Sequence, residues 1–321
     1  MTFLHRRALL AATAALPLAP RFARAENSWP NKLLRIITPF PAGATSDSAA
    51  RAIAQILSQK YKQPVVVENR PGAGGGIGAQ QALAAQPDGH TLLLVNNSVL
   101  TMVPRISQVK FDPVKDFEPV AFLGESYNLL ALNRGLPVTD LPGFVALARQ
   151  KPGALVYASP GVGSYGHVAG ALLQQRLGIE LLHAPFNGIV PAINAVLAGD
   201  AHAVMGPNTV SFVQSGQLRG AVVIGEHRWP DVPEVPTLPE AGVEHWPLDY
   251  WYAVVAPAGV PLDIRQRLNA DFAEASRLPQ VRQLLERVGL RPVELSVDLI
   301  GQRIATDWRA VGEAMKLVEI G

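Results

Sequence analysis

Apolar and polar positions alternate between two periods along this chain. Short apolar runs of strand length at Leu34 to Thr38, Val65 to Glu68 and Thr91 to Asn96 are separated by stretches of helical periodicity, which predict helices over Ser46 to Gln59 and Ile77 to Ala85. Strand, helix, strand in that order is the mark of parallel βαβ units. Two further runs, Phe117 to Leu123 and Leu129 to Leu132, precede a second block of the same kind. It predicts helices near Pro142 to Gln150, Gly166 to Leu177 and Val190 to Leu197. Its strands are Leu155 to Ala158, Leu181 to Pro185, Ala203 to Met205 and Ala221 to Ile224. Trp229 to Pro247 carries Pro230, Pro233, Pro236, Pro239 and Pro247, too many fixed φ angles for a regular element, and reads as an ordered connector. A strand at Trp251 to Ala256 and helices at Pro261 to Ser276, Pro279 to Val288 and Val297 to Val318 close the chain.

The first 25 residues follow a different pattern. Basic His5, Arg6 and Arg7 lead into the apolar stretch Ala8 to Leu18, and Ala23-Arg24-Ala25 has the small-x-small form of a signal-peptidase site. The apolar stretch is too short to span a bilayer, so the expectation is a cleaved export signal, a working chain starting at Glu26 and no membrane anchor. The paired arginines leave both the general and the twin-arginine routes open. Residues 1 to 25 hold four arginines and no acid, so 28 basic residues fall to 24 against 26 acidic ones. The chain's apparent basicity therefore belongs to the signal, no later Lys/Arg cluster replaces it, and nucleic acid is not an expected partner. With no cysteine, disulfides, thiolate metal sites, a cysteine nucleophile and a lipoprotein anchor are all excluded. A mature chain of this length and apolar content divides into two lobes.

Four loops of small residues stand between a strand and a helix start: Ala42 to Asp47, Gly72 to Gly76, Asn96 to Ser98, and Ser159 to Ser164. Open α/β sheets bind ligands at the carboxyl ends of their strands, where helix N-termini present free N–H groups to an anion. Any one such loop is explained by turn and cap formation; four of them point to a site for a small anion. Gly161, Gly163 and Gly166 form a Gly-x-Gly-x-x-Gly, but Glu180, the acid about 20 residues on, precedes the next strand and so stands at the wrong end for a ribose. There is no P-loop Lys-Ser/Thr and no Gly-x-Ser-x-Gly elbow. The histidines show no metal-ligand spacing, and only His167 opens a helix beside one of the four loops. Asp47 suits a helix start. Trp246, Tyr250, Trp251 and Tyr252 are expected to pack between elements, with one of them free to line a cleft.

Pro39 to Asp47 with Arg51, Val67-Glu68-Asn69-Arg70-Pro71-Gly72-Ala73-Gly74-Gly75, Pro87-Asp88-Gly89-His90-Thr91-Leu92-Leu93 and Val235 to Gly242 resemble, in order, motifs of the Bug or TctC-like family. These are the periplasmic substrate-binding proteins of tripartite tricarboxylate transporters. Lys115-Asp116-Phe117 and Ala256 to Gly259 extend the resemblance over essentially the whole mature chain. It implies an α/β, two-lobed periplasmic binding protein of the Venus-flytrap kind (type II), each lobe a mixed, mainly parallel sheet flanked by helices. On that basis residues 1–25 are a signal peptide, 26–126 and 250–321 one lobe, and 127–249 the other. The implied contacts for a small carboxylate-bearing solute are Ala42, Gly43, Ala44, Thr45, Ser46, Asp47, Gly74, Gly75 and Asn97. Facing them would be Ser159, Gly161, Gly163, Ser164, His167 and Asn187. No catalytic residue, cofactor or metal is implied, and the expected partners are membrane permease subunits, met as a monomer. Alternatives are an exported sensory module and an exported enzyme on the same lobes. Three departures stand out: Ala44 where a second glycine is usual, Phe186-Asn187-Gly188 for a Tyr-Lys-Gly type run, and Gly206 where an acid is frequent. The last disfavours a ligand amino group.

Overall fold

The structure, a computed structural model, describes residues 29–225 and 227–316. The expected export signal lies outside the described residues, as do Glu26, Leu317 and Val318.

The first block forms β1 (Leu34–Thr38), α1 (Thr45–Tyr61), β2 (Val65–Asn69), α2 (Gly76–Leu83), β3 (Thr91–Asn96), α3 (Asn97–Thr101), α4 (Val103–Ile106) and β4 (Phe117–Ser126). The second forms β5 (Asn128–Asn133), α5 (Leu141–Gln150), β6 (Val156–Ser159), α6 (Tyr165–Leu177), β7 (Leu182–Pro185), α7 (Ile189–Ala198), β8 (Ala203–Gly206), α8 (Val210–Gln214) and β9 (Leu218–Ile224). The chain then returns through β10 (Trp251–Pro257), α9 (Leu262–Arg277), α10 (Pro279–Arg287), β11 (Leu290–Arg291) and α11 (Val297–Lys316).

These strands make two sheets, ordered β11-β4-β10-β3-β1-β2 and β7-β6-β8-β5-β9. β1 pairs in parallel with β2 and β3, and β6 with β7 and β8. One interior strand of each sheet runs against its neighbours: β10 between β3 and β4, and β5 between β8 and β9. Both are the strands that follow a passage from one sheet to the other, so each sheet is sealed in its middle by chain arriving from its partner. Pulling either strand out would split a sheet, which ties the two passages into both cores.

The apolar runs are strands because both faces are covered: β3 is buried along its whole length, as expected of sheets flanked by helices. α1 buries Ala49, Ala50, Ile53, Ala54 and Leu57, one stripe at helical spacing. The proline-rich connector has no helix or strand among its described residues, yet it is packed. Trp229, Val232 and Val235 join Leu129, Val210 and Val223 in one buried cluster, and Val223 makes an isolated parallel bridge to Thr237.

At the passages a polar group is buried deliberately. Trp251, fully buried, donates its indole N–H to Asp307 Oδ2 at 2.5 Å and packs on Phe122. Burial pushes the Asp307 carboxyl above the usual range, against the pull of Trp251 and Arg303. Arg303 also pairs with Asp249, in the returning passage, at 2.5 Å.

Candidate functional site

The carboxyl ends of β1, β3, β6 and β8 face one another across a narrow cleft, partly open to solvent. From the first sheet come Phe40, Ala44, Thr45, Asn96, Tyr250 and Tyr252. The second sheet contributes Asn128, Pro160, Ser164, Tyr165, Gly166, Ile189, Met205, Gly206 and Asn208.

Two helices begin here. The turn before α1 needs Gly43 at φ +85°, and the Asp47 carboxylate folds back to accept from the Gly43 N–H at 3.0 Å. The first N–H groups of α1 have no intrahelical carbonyl to reach, and no side chain caps them. α6 is reached through Gly161 and Gly163, at φ +133° and +81°, and is capped by Ser164, whose hydroxyl accepts from the His167 N–H.

Most polar groups of the cleft already hold one another. Asn96 Nδ2 donates to the Tyr250 hydroxyl at 2.8 Å, which lies 3.4 Å from that of Tyr252. Thr45 donates to Asn208 Oδ1 at 3.0 Å, joining the two sides directly. The Tyr165 hydroxyl donates to the Leu248 carbonyl and accepts from Trp246 Nε1, both at 3.2 Å. Burial pushes the phenols of Tyr165, Tyr250 and Tyr252 up, so all three stay neutral. Asn128 differs: it is 1% exposed and its Nδ2 has no hydrogen-bond partner. A buried amide left unpaired costs about 1 to 3 kcal/mol. No charged side chain lines the cleft.

Beyond Phe40 and Pro160 lies a second hollow, between Pro39 to Pro41, Pro71 to Gly75, Pro160 to Val162 and Pro185 to Gly188. There the two sides touch. A Cβ on Gly74 would stand 2.5 Å from the Val162 carbonyl oxygen, and one on Gly188 would stand 2.6 Å from Pro41 Cδ.

A family model described as the tripartite tricarboxylate transporter family receptor, TctC, matches residues 49–317. The chain belongs to that family. Protein BugT of Bordetella pertussis is 32% identical over 279 residues, 85% of each chain. Among solved structures, Rpa4515 of R. palustris with adipate is 29% identical with a TM-score of 0.85, covering 90% of this chain and 98% of that one. MatC of Rhodopseudomonas palustris with bound malate is 28% identical with a TM-score of 0.83, covering 91% and 100%. The architecture is the two-lobed α/β one of the family's periplasmic binding proteins. Among the described residues no helix is long and apolar enough to cross a membrane.

Of the residues expected from the TctC resemblance, Ala44, Thr45 and Ser164 line the main cleft, and Gly74, Gly75, Gly161 and Asn187 line the outer hollow. Ala42 and Gly43 lie in the turn before α1, Ser46 and Asp47 in its first turn, and none of the four lines either space. Asp47 is engaged with Gly43, Arg51 and Asn69. Burial alone would raise its carboxyl, but these hydrogen bonds hold it below the usual range. Asn97 donates to the Asp249 carbonyl at 2.8 Å, and its Oδ1 is buried without a partner, as is Ser46 Oγ. Ser159, Gly163 and His167 form a layer behind the cleft wall: Ser159 Oγ lies 2.7 Å from His183 Nε2, and His167 accepts from the Gly163 N–H at 3.2 Å. Asn128, Asn208, Tyr165, Tyr250 and Tyr252 had no place among the expected contacts. The aromatic run near Tyr250 was the one available signal, and an asparagine opening an apolar strand gives none.

The two imidazoles are stacked, centroids 4.0 Å apart and 5° from parallel. Burial, with His167 beside it, pushes His183 down to about 4, and burial lowers His167 as well. Both are thus neutral in the folded protein and titrate near 6.5 once unfolded. Their contribution is complete above about pH 6.5 and is lost as pH falls toward 4. Denaturant midpoints are expected to drop between pH 7 and 4.5, and to drop less in His183→Gln; equal losses in the two proteins would remove the pair from the account.

Proposed function

We propose that the chain is a periplasmic solute-binding protein, exported through a cleaved signal at residues 1–25, that captures a small carboxylate-bearing solute. In this reading lobe 1 is residues 26–126 and 250–321, lobe 2 is 127–249, and the monomer presents its load to the permease subunits of a tripartite tricarboxylate-type transporter. The observation that carries it is the unpartnered Asn128 amide, buried in a cleft where α1 and α6 both begin. Two N–H donors with no acceptor, between two helix N-termini, suit a carboxylate. The adipate and malate named for Rpa4515 and MatC support the same class.

Capture rather than catalysis fits the site. Ser159 with His183 is the nearest approach to a nucleophile and base, but Ser159 is 0% exposed and neither lines the cleft. Micromolar binding corresponds to about 8 kcal/mol, which three to five hydrogen bonds to a charged group, at roughly 1.5 to 3 kcal/mol each, can supply before association costs. A solute touching both lobes favours the shut form, the form a permease can recognise.

Titration calorimetry against adipate, malate and simple aromatic acids is expected to give saturable binding to at least one of them. Asn128→Ala should weaken it roughly ten- to a hundredfold, the loss of one or two charge-assisted bonds. Silence toward every carboxylate, or turnover of any of them, would sink the proposal.

A further inference from the structure

The walls of the cleft say more about the solute than its class. Resting on the reading above, we infer that the solute is a monocarboxylate with an apolar aryl or branched alkyl body, and that Ile189, lying over Gly206, sets this preference.

One carboxylate is provided for, by the Asn128 amide and the first-turn N–H groups of α1, which no side chain caps. A second is not. No lysine, arginine or histidine lines the cleft, and a buried carboxylate without a cation or its own set of donors is strongly disfavoured. Thr45, Asn96 and Tyr165 already spend hydroxyl or amide hydrogens on Asn208, Tyr250 and Leu248, which leaves only the neutral Ser164, Asn208 and Tyr252 among the polar groups.

The apolar part of the lining is Phe40, Pro160, Met205, Ile189 and the ring of Tyr165. Gly206 is the telling position. A Cβ there would stand 2.6 Å from Ile189 Cδ1 and 3.1 Å from its Cγ1, so Ile189 occupies the space that a side chain at 206 would need. Over Gly206 this chain presents a branched hydrocarbon, 7% exposed, at the first position of α7. A charged second end of a solute would be desolvated against it with no countercharge in the cleft. An aryl or branched alkyl group gains by burial there.

The test is calorimetry of the purified protein with benzoate, adipate and L-phenylalanine. Benzoate is expected to bind at least tenfold tighter than either of the others. Ile189→Asn should bring the benzoate-to-adipate ratio down about tenfold, and Ile189→Leu should keep it; the ratio separates a role in selection from a general loss of structure. Adipate or phenylalanine equal to or tighter than benzoate overturns this inference and leaves carboxylate capture standing, and so does an unchanged ratio in a folded Ile189→Asn. No binding of any of the three overturns it too, and with adequate controls it counts against carboxylate capture as well.

Discussion

Replacing Gly74 with valine is expected to weaken solute binding at least a hundredfold while leaving the protein folded. Gly74 sits at φ +65°, where a β-branched residue is strained, and its Cβ would stand 2.5 Å from the Val162 carbonyl oxygen across the cleft. Backbone cannot yield as a flexible side chain can, so the added atoms hold the lobes apart. A hundredfold is about 2.7 kcal/mol, a modest demand for a contact well inside the 3.0 Å below which Cβ atoms are essentially never found. Gly153→Ala is the control. It meets the same left-handed backbone, at φ +71°, with nothing within 4 Å, and should bind normally. Calorimetry gives the affinity, and the solute-induced fall in radius of gyration by small-angle scattering should vanish in Gly74→Val alone. Normal affinity in that variant would show that the contact at Gly74 is no part of capture.

The largest effect on stability is expected at Trp251. Its side chain is fully buried on the central strand β10, against Phe122, and its indole N–H satisfies Asp307. Trp251→Ala should cost about 4 kcal/mol or more, because truncating a buried tryptophan costs about 3 to 5 kcal/mol and leaves an acidic group without its donor. Against a total of roughly 5 to 15 kcal/mol, that is enough to depopulate the native state under mild stress. Trp251→Phe keeps most of the volume and loses the hydrogen bond, so it should fall between. Urea midpoints with unchanged slope would measure both. Equal, small shifts would mean that the core closes over the gap and that Asp307 finds another partner.

Much of the fold was legible because the strands are apolar on both faces. β1 and β3 have the expected bounds, and α1 extends the expected helix by one residue at its start and two at its end. The losses follow from length: α3, α4, α8 and β11 span five residues or fewer, too few for a period to show. That β5 and β10 run against their neighbours could not be read either, since an apolar run carries no direction.

The site was legible in part, for a different reason. Small-residue loops marked where the helices begin, and so pointed to Thr45 and Ser164, which line the cleft. Which side chains turn into the cleft depends on the packing of both lobes. Asp47 and His167 looked available and are committed to Gly43, Asn69 and His183, whereas Asn128 sits one residue beyond the passage from β4, where no motif surrounds it. Tyr250 and Tyr252 both pack and line, because the returning strand passes along the cleft's edge.

The contacts that bring the two sides together share one property. Thr45 with Asn208, Gly74 with Val162 and Gly188 with Pro41 are all uncharged, and among the described residues every ion pair lies within one side or, through Asp249, at the returning passage. Screening weakens exposed charge pairs over about 8 to 10 Å at ordinary ionic strengths and leaves neutral contacts untouched. The jaws therefore shut with a grip that does not depend on salinity. For a receptor family that works in the periplasm, where the ions are those of the surrounding water, the lobe-to-lobe part of the grip then stays constant while only the solute's own charge feels the salt.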